Sequence, residues 1–76
     1  MLDFNATYLF PMHRKDNEDE NDEEMVRCKL VCVNKFQVLV VPKNPEFENK
    51  WFDINYLDWL INEKATVATP YAFKID

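Results

Sequence analysis

One histidine and two cysteines of the 76-residue chain could form a cysteine–histidine nucleophilic pair. His13 is the single side chain whose ordinary pKa lies near neutrality. Paired with Cys28 or Cys32 it would make a thiol enzyme, provided a thiolate stood within hydrogen-bond reach of the ring and an oxyanion site lay beside it. Nothing in the sequence marks that oxyanion site, and His13 is followed by Arg14 and Lys15, as solvated surface residues are. Structural zinc needs four ligands; two cysteines separated by three residues and one distant histidine fall short of that spacing. The chain has no Gly and no Ser. Those absences remove the phosphate-cradling loop, the dinucleotide fingerprint, the nucleophile elbow and the serine nucleophile. The expectation is a non-enzymatic protein with no cofactor and no bound metal.

Charge is the stronger signal. Asp16, Glu18, Asp19, Glu20, Asp22, Glu23 and Glu24 make seven of the nine residues from 16 to 24 acidic. Residues 1–15 and 25–76 carry +1 each, so the formal charge of -5 comes from one segment of -7. The run does not fit a calcium loop: in the frame that starts at Asn17, Asp22 takes the position that requires glycine and Cys28 that of the terminal glutamate. Drawn out as an extended strand, nine residues span roughly 30 Å. That is one carboxylate per ~4 Å, close to the ~3.4 Å axial phosphate spacing of a DNA strand. This pattern leads to the expectation of a small acidic protein-binding module whose partner carries a basic surface: an inhibitor or regulator of a nucleic-acid-binding host enzyme that works by DNA mimicry, as phage and mobile-element proteins do. The analogy is one of mode alone. Against it, blocks of like charge are commonly disordered and only solubilise, and Asp53, Asp58 and Glu63 do not share a helix face.

The aromatic group Phe47, Trp51, Phe52, Tyr56 and Trp59 has two readings. Aromatic side chains supply much of the core of a small domain, and Trp and Tyr also anchor protein interfaces. Trp51, Tyr56 and Trp59 are the candidate anchors. Lys15, Lys29, Lys43, Lys50 and Lys74 are scattered in a negative field, which speaks against direct nucleic-acid binding.

These residues need a scaffold. Leu2, Phe4, Ala6, Tyr8 and Phe10 alternate with mostly polar residues, which predicts a half-buried strand ending before Pro11. A flexible acidic loop is expected at about 12–24. Met25–Val33 and Phe36–Val41 read as a hairpin around a two-residue turn, Asn34-Lys35, which would face Val31 with Val38 and Leu30 with Leu39. Lys is a poor substitute for Gly in that turn, and a longer loop is the alternative. Both hairpin faces are largely apolar, so one must be covered by the chain ends, a second subunit or a partner. The alternative function follows from this: an obligate homodimer or assembly subunit that uses the hairpin face. Asn44-Pro45 suits the start of a helical turn. Asp53 suits an N-cap before a helix at about 53–63, with Ile54, Leu57, Leu60 and Ile61 on its apolar stripe. Ala65–Thr69 and Tyr71–Ile75 read as a last strand broken by Pro70, at an edge. Turns that need a positive φ are expected to use Asn or Asp, of which the chain has eight and seven. The predicted fold is α+β and a single domain, 1–76: about four mainly antiparallel strands in the order strand, acidic loop, hairpin, helix, strand, with the helix packed on one face.

Cys28 and Cys32 lie on one strand about 13 Å apart, too far for a disulfide. With no signal-like N-terminus and no run long enough to span a membrane, the expected location is the cytoplasm, or the host cytoplasm for a viral protein.

Overall fold

The computed structural model describes residues 1–63 and 71–76. Strands β1 (Thr7–Met12), β2 (Glu24–Cys32), β3 (Gln37–Pro42), β4 (Lys50–Asp53) and β5 (Phe73–Lys74) form one sheet in the order β4-β3-β2-β1-β5. Every pairing is antiparallel. Helix α1 (Ile54–Asp58) follows β4 directly and runs into a π-helical turn, Trp59–Glu63. The small α+β class is as predicted; among the described residues the sheet has five strands rather than about four. No helix among the described residues is long and apolar enough to cross a membrane.

The alternation places Tyr8, Phe10 and Met12 of β1 in the core, together with Ala6 just before it, while Leu2 and Phe4 lie further upstream at its margin. The strand does not stop before Pro11; it continues to Met12. The pairing geometry explains why proline is tolerated. The Pro11 carbonyl accepts from Lys50 Nζ at 2.6 Å, so the main-chain polar edge of this residue points away from β2. On that side β5 pairs only with Tyr8 and Leu9, and no ladder bond needs the N–H that proline lacks.

The hairpin register also differs from the expectation. Leu30 faces Val40, Val31 faces Leu39 and Cys32 faces Val38, one residue further along β3 than a two-residue turn would give. The longer loop forms because Asn34 closes it with its side chain: Oδ1 accepts from the Phe36 and Gln37 amides at 2.8 and 3.0 Å, and Nδ2 donates to Gln37 Oε1 at 3.1 Å. The shift matters chemically. It pairs Leu30 with Val40 inside and leaves Lys29 opposite Val41 outside, where the two-residue turn would have set Lys29 beside the core residue Val40.

Asn34 is one of six residues that stand in for glycine in this way. Asp3, Asn17, Asp19, Asn34, Asn44 and Asp53 each accept from the amide two residues on, at 2.8–3.0 Å. The positive φ expected of Asn and Asp at turns is not found: among the described residues none has one. The side-chain oxygen replaces a carbonyl in each turn, and the left-handed conformation is not needed. At Asn44 this gives the turn expected before Phe47, whose amide donates to the Asn44 carbonyl. At Asp53 it gives the predicted N-cap, with the carboxylate accepting from Asn55 and Tyr56 N. Trp51 and Phe52, which precede the predicted helix and for which the sequence predicts no element, form β4, where Phe52 pairs with Val38 and Trp51 with Leu39.

The sheet curls until its ends meet. Beyond β1, Arg14 bridges to Phe47; the Lys15 amide donates to the Glu46 carbonyl and the Glu48 amide to the His13 carbonyl, both at 2.9 Å. Inside lie Tyr8, Phe10, Met12, Cys28, Leu30, Val38, Val40 and Phe47, with Leu57 of α1 completing the cluster. Tyr71 stands edge-on to Phe10 and Phe52 and seals one side. One face of the hairpin is thus covered by the chain's own curvature. Of the predicted last strand only Phe73–Lys74 is β, at the sheet edge; the expectation for Ala65–Thr69 and Pro70 lies outside the described residues.

Candidate functional site

The thiol and imidazole groups do not assemble. Cys28 is fully buried and its Sγ donates to the Val26 carbonyl at 3.4 Å; burial pushes this thiol up to about 11. Cys32 is exposed, with Sγ 3.6 Å from the Asn34 carbonyl, and His13 Nδ1 lies 3.4 Å from the Asp22 carbonyl. Both cysteines are free. A buried thiol held in its neutral form is a packing residue.

The acidic segment, residues 16–24, forms a lobe beyond the paired ends of β1 and β2, where Met12 and Glu24 face each other. The chain therefore doubles back, and the drawn-out row of carboxylates with phosphate-like spacing does not exist. Two cations of the body hold the base of the lobe. Arg14 Nε donates to Glu24 Oε2 at 2.7 Å and Nη1 to Glu46 Oε2 at 2.9 Å, while the guanidinium lies 4.6 Å over the Phe47 ring. Glu24 first, then Glu46, raises the Arg14 pKa further. Lys50 Nζ pairs with Glu23 at 2.6 Å and reaches the Tyr71 hydroxyl at 3.5 Å as well as the Pro11 carbonyl. Inside the lobe, Asn17 Nδ2 donates to Asp22 Oδ2 at 2.8 Å, and the Asp22 amide donates to the Asp19 carbonyl at 3.1 Å.

The seven acidic residues therefore divide by role. Glu23 and Glu24 are paired to the body. Asp16, Glu18, Asp19, Glu20 and Asp22 are exposed and make no ion pair among the described residues. Beside them lies an open concavity of about 680 Å³ whose lining includes Asp16, Glu18, Glu20, Glu48, Lys15 and Lys50. Among the described residues no group of carboxylate, imidazole and thiolate ligands is arranged to hold a metal ion.

The aromatic group separates in the same manner. Phe47 is buried and Phe52 packs against the core, whereas Trp51, Tyr56 and Trp59 are 59, 54 and 48% exposed. Tyr56 and Trp59, three positions apart, stack with centroids 6.0 Å apart and planes at 20°. Trp51 stands apart from this stack, on the convex face of the sheet opposite Leu39.

That convex face brings together Lys29 and Lys43, which are scattered along the sequence, and adds Arg27. Arg27 and Lys29 point outward from β2 because Cys28 and Leu30 point inward. Lys43, just past β3, is set against Arg27 by the bond from its amide to the Arg27 carbonyl at 2.9 Å. Strand alternation alone could have found the first two; Lys43 needed the register. Comparison with protein-family models, with curated proteins and with solved structures finds no match.

Proposed function

We propose that the chain is a non-enzymatic protein-binding module that docks its acidic lobe on a basic surface of a larger partner, and that it inhibits or regulates a partner whose surface is built to hold a polyanion. The observation that carries this reading is the division of the lobe: Glu23 and Glu24 are spent on Lys50 and Arg14, and five carboxylates are left facing solvent on a base tied to the sheet. A merely solubilising segment has no need of such ties. A held cluster of like charge steers a basic partner from a distance and loses little freedom on binding. The mimicry is of a compact anionic lobe rather than of a linear strand of phosphates. Trp51, Tyr56 and Trp59 are the proposed anchors, since large exposed aromatic rings supply affinity where charge supplies encounter.

The test is capture of the partner from native extract at low and high salt. The variant carries Asp16→Asn, Glu18→Gln, Asp19→Asn, Glu20→Gln and Asp22→Asn, with Glu23 and Glu24 intact. Expected is a partner that is held at about 50 mM salt, released at about 500 mM and not retained by the variant, as screening requires. Equal capture by the variant, with its melting curve unchanged, would overturn the reading.

A further inference from the structure

We infer that the convex face of the sheet is the docking site for the acidic lobe of a second copy of the chain, giving a head-to-tail contact. The strand register places the groups. One outward row runs Lys43, Arg27, Leu9 and the next Val41, Lys29, Thr7; beyond them lies Trp51, Leu39, Val31. Outward neighbours along a strand are about 7 Å apart and those across it about 5 Å. Three cations therefore share an area the size of one short peptide segment.

None of the three meets a carboxylate among the described residues. Lys43 Nζ donates to Thr7 Oγ1 at 3.0 Å, and Arg27, Lys29 and Lys43 have no ion-pair partner there. A shallow concavity of about 350 Å³ opens beside Arg27 and Lys43, floored by Leu9 and Met25. On the same chain five lobe carboxylates are equally unpaired. Within one molecule neither the three cations nor the five lobe carboxylates form an ion pair among the described residues, whereas two molecules can bring them together. A nucleic acid is the weaker occupant, because the overall charge of -5 repels it. The contact joins unlike surfaces, so each added copy keeps a free lobe at one end and a free face at the other.

The inference rests on the lobe being a docking element, as proposed above, and adds the surface that takes it when no other partner is present. Self-contact then hides the lobe and competes with the outside partner. The experiment uses light scattering on the intact chain and on two full-length variants. One reverses the face (Arg27→Glu, Lys29→Glu, Lys43→Glu); the other is the five-residue lobe variant. All substituted positions are exposed, and circular dichroism checks that both variants fold. The intact chain is expected to show a mass that rises with concentration above 9.1 kDa at low salt and to weaken at least about tenfold at high salt. Each variant alone stays monomeric. Mixed together they form a 1:1 complex, because one supplies the lobe and the other the face. A lobe variant that still dimerises would instead show a symmetric apolar dimer and overturn the inference, as would an intact chain that is monomeric at low salt. A ten-residue lysine peptide separates the two ideas. If the intact chain binds it in a salt-dependent way yet does not self-associate, only the head-to-tail contact is lost; if it does neither, the lobe reading is lost as well.

Discussion

Lys50 carries more of this molecule than its sequence context suggests. A single ammonium group links the base of the lobe through Glu23, the proline-bearing end of β1 through the Pro11 carbonyl, and the C-terminal segment through the Tyr71 hydroxyl. It is three-quarters buried, so removal leaves the Pro11 carbonyl without its partner as well as breaking an ion pair. Lys50→Met is expected to cost about 1–2 kcal/mol and to lower the melting temperature by roughly 5–15 °C. Calorimetry checks this. Cys28 offers a second test. Its folded pKa is raised, so the buried thiol favours the neutral form: the resulting stability is whole below the ordinary value near 9.0 and is lost as pH rises through about 11. The melting temperature of the intact chain should therefore fall faster across that window than that of Cys28→Ala. At neutral pH an alkylating reagent should label Cys32 alone, and both cysteines only after unfolding, as mass spectrometry will show.

Among the elements, turns are where a chain without glycine has to solve its hardest local problem. Six Asn or Asp side chains solve it by accepting an amide two residues ahead. Asp53→Ala removes two such bonds at the start of α1 and is expected to cost about 1 kcal/mol by chemical denaturation. Pro11→Ala should shift stability by less than about 0.5 kcal/mol, since the restored N–H points to the side of β1 where the pairing with β5 has already ended at Leu9. Much of this level was legible: the alternation in β1, the apolar stripe from Ile54 to Ile61 and the N-cap at Asp53 are local patterns. The hairpin register was not, because it turned on whether Asn34 used its backbone or its side chain. Nor was β4, because Trp51 and Phe52 carry no alternation long enough to distinguish a four-residue strand from a helix entry.

For the whole molecule the governing feature is the separation of charge. Five lobe carboxylates repel one another without compensation in the folded chain, so neutralising them should leave the melting temperature unchanged or raise it by a few degrees at low salt, with the difference vanishing at high salt. The seven acidic residues, the three candidate aromatic anchors and the absence of glycine- and serine-based chemistry could be read directly, since they are matters of composition and spacing; that the aromatics are exposed could not. Which carboxylates are free and which are tied down could not, because Arg14 and Lys50 reach Glu24 and Glu23 only once the sheet has curled and its ends have met. The cationic convex face is likewise a product of register, joining Arg27 and Lys29 to a lysine some fifteen residues away. Local sequence determined the alternation of β1, the two strands of the hairpin, the cap and the net charge of the lobe, because those depend on neighbours along the chain. Tertiary structure alone decided where the charges face, because pairing across strands brings together residues that the sequence holds far apart.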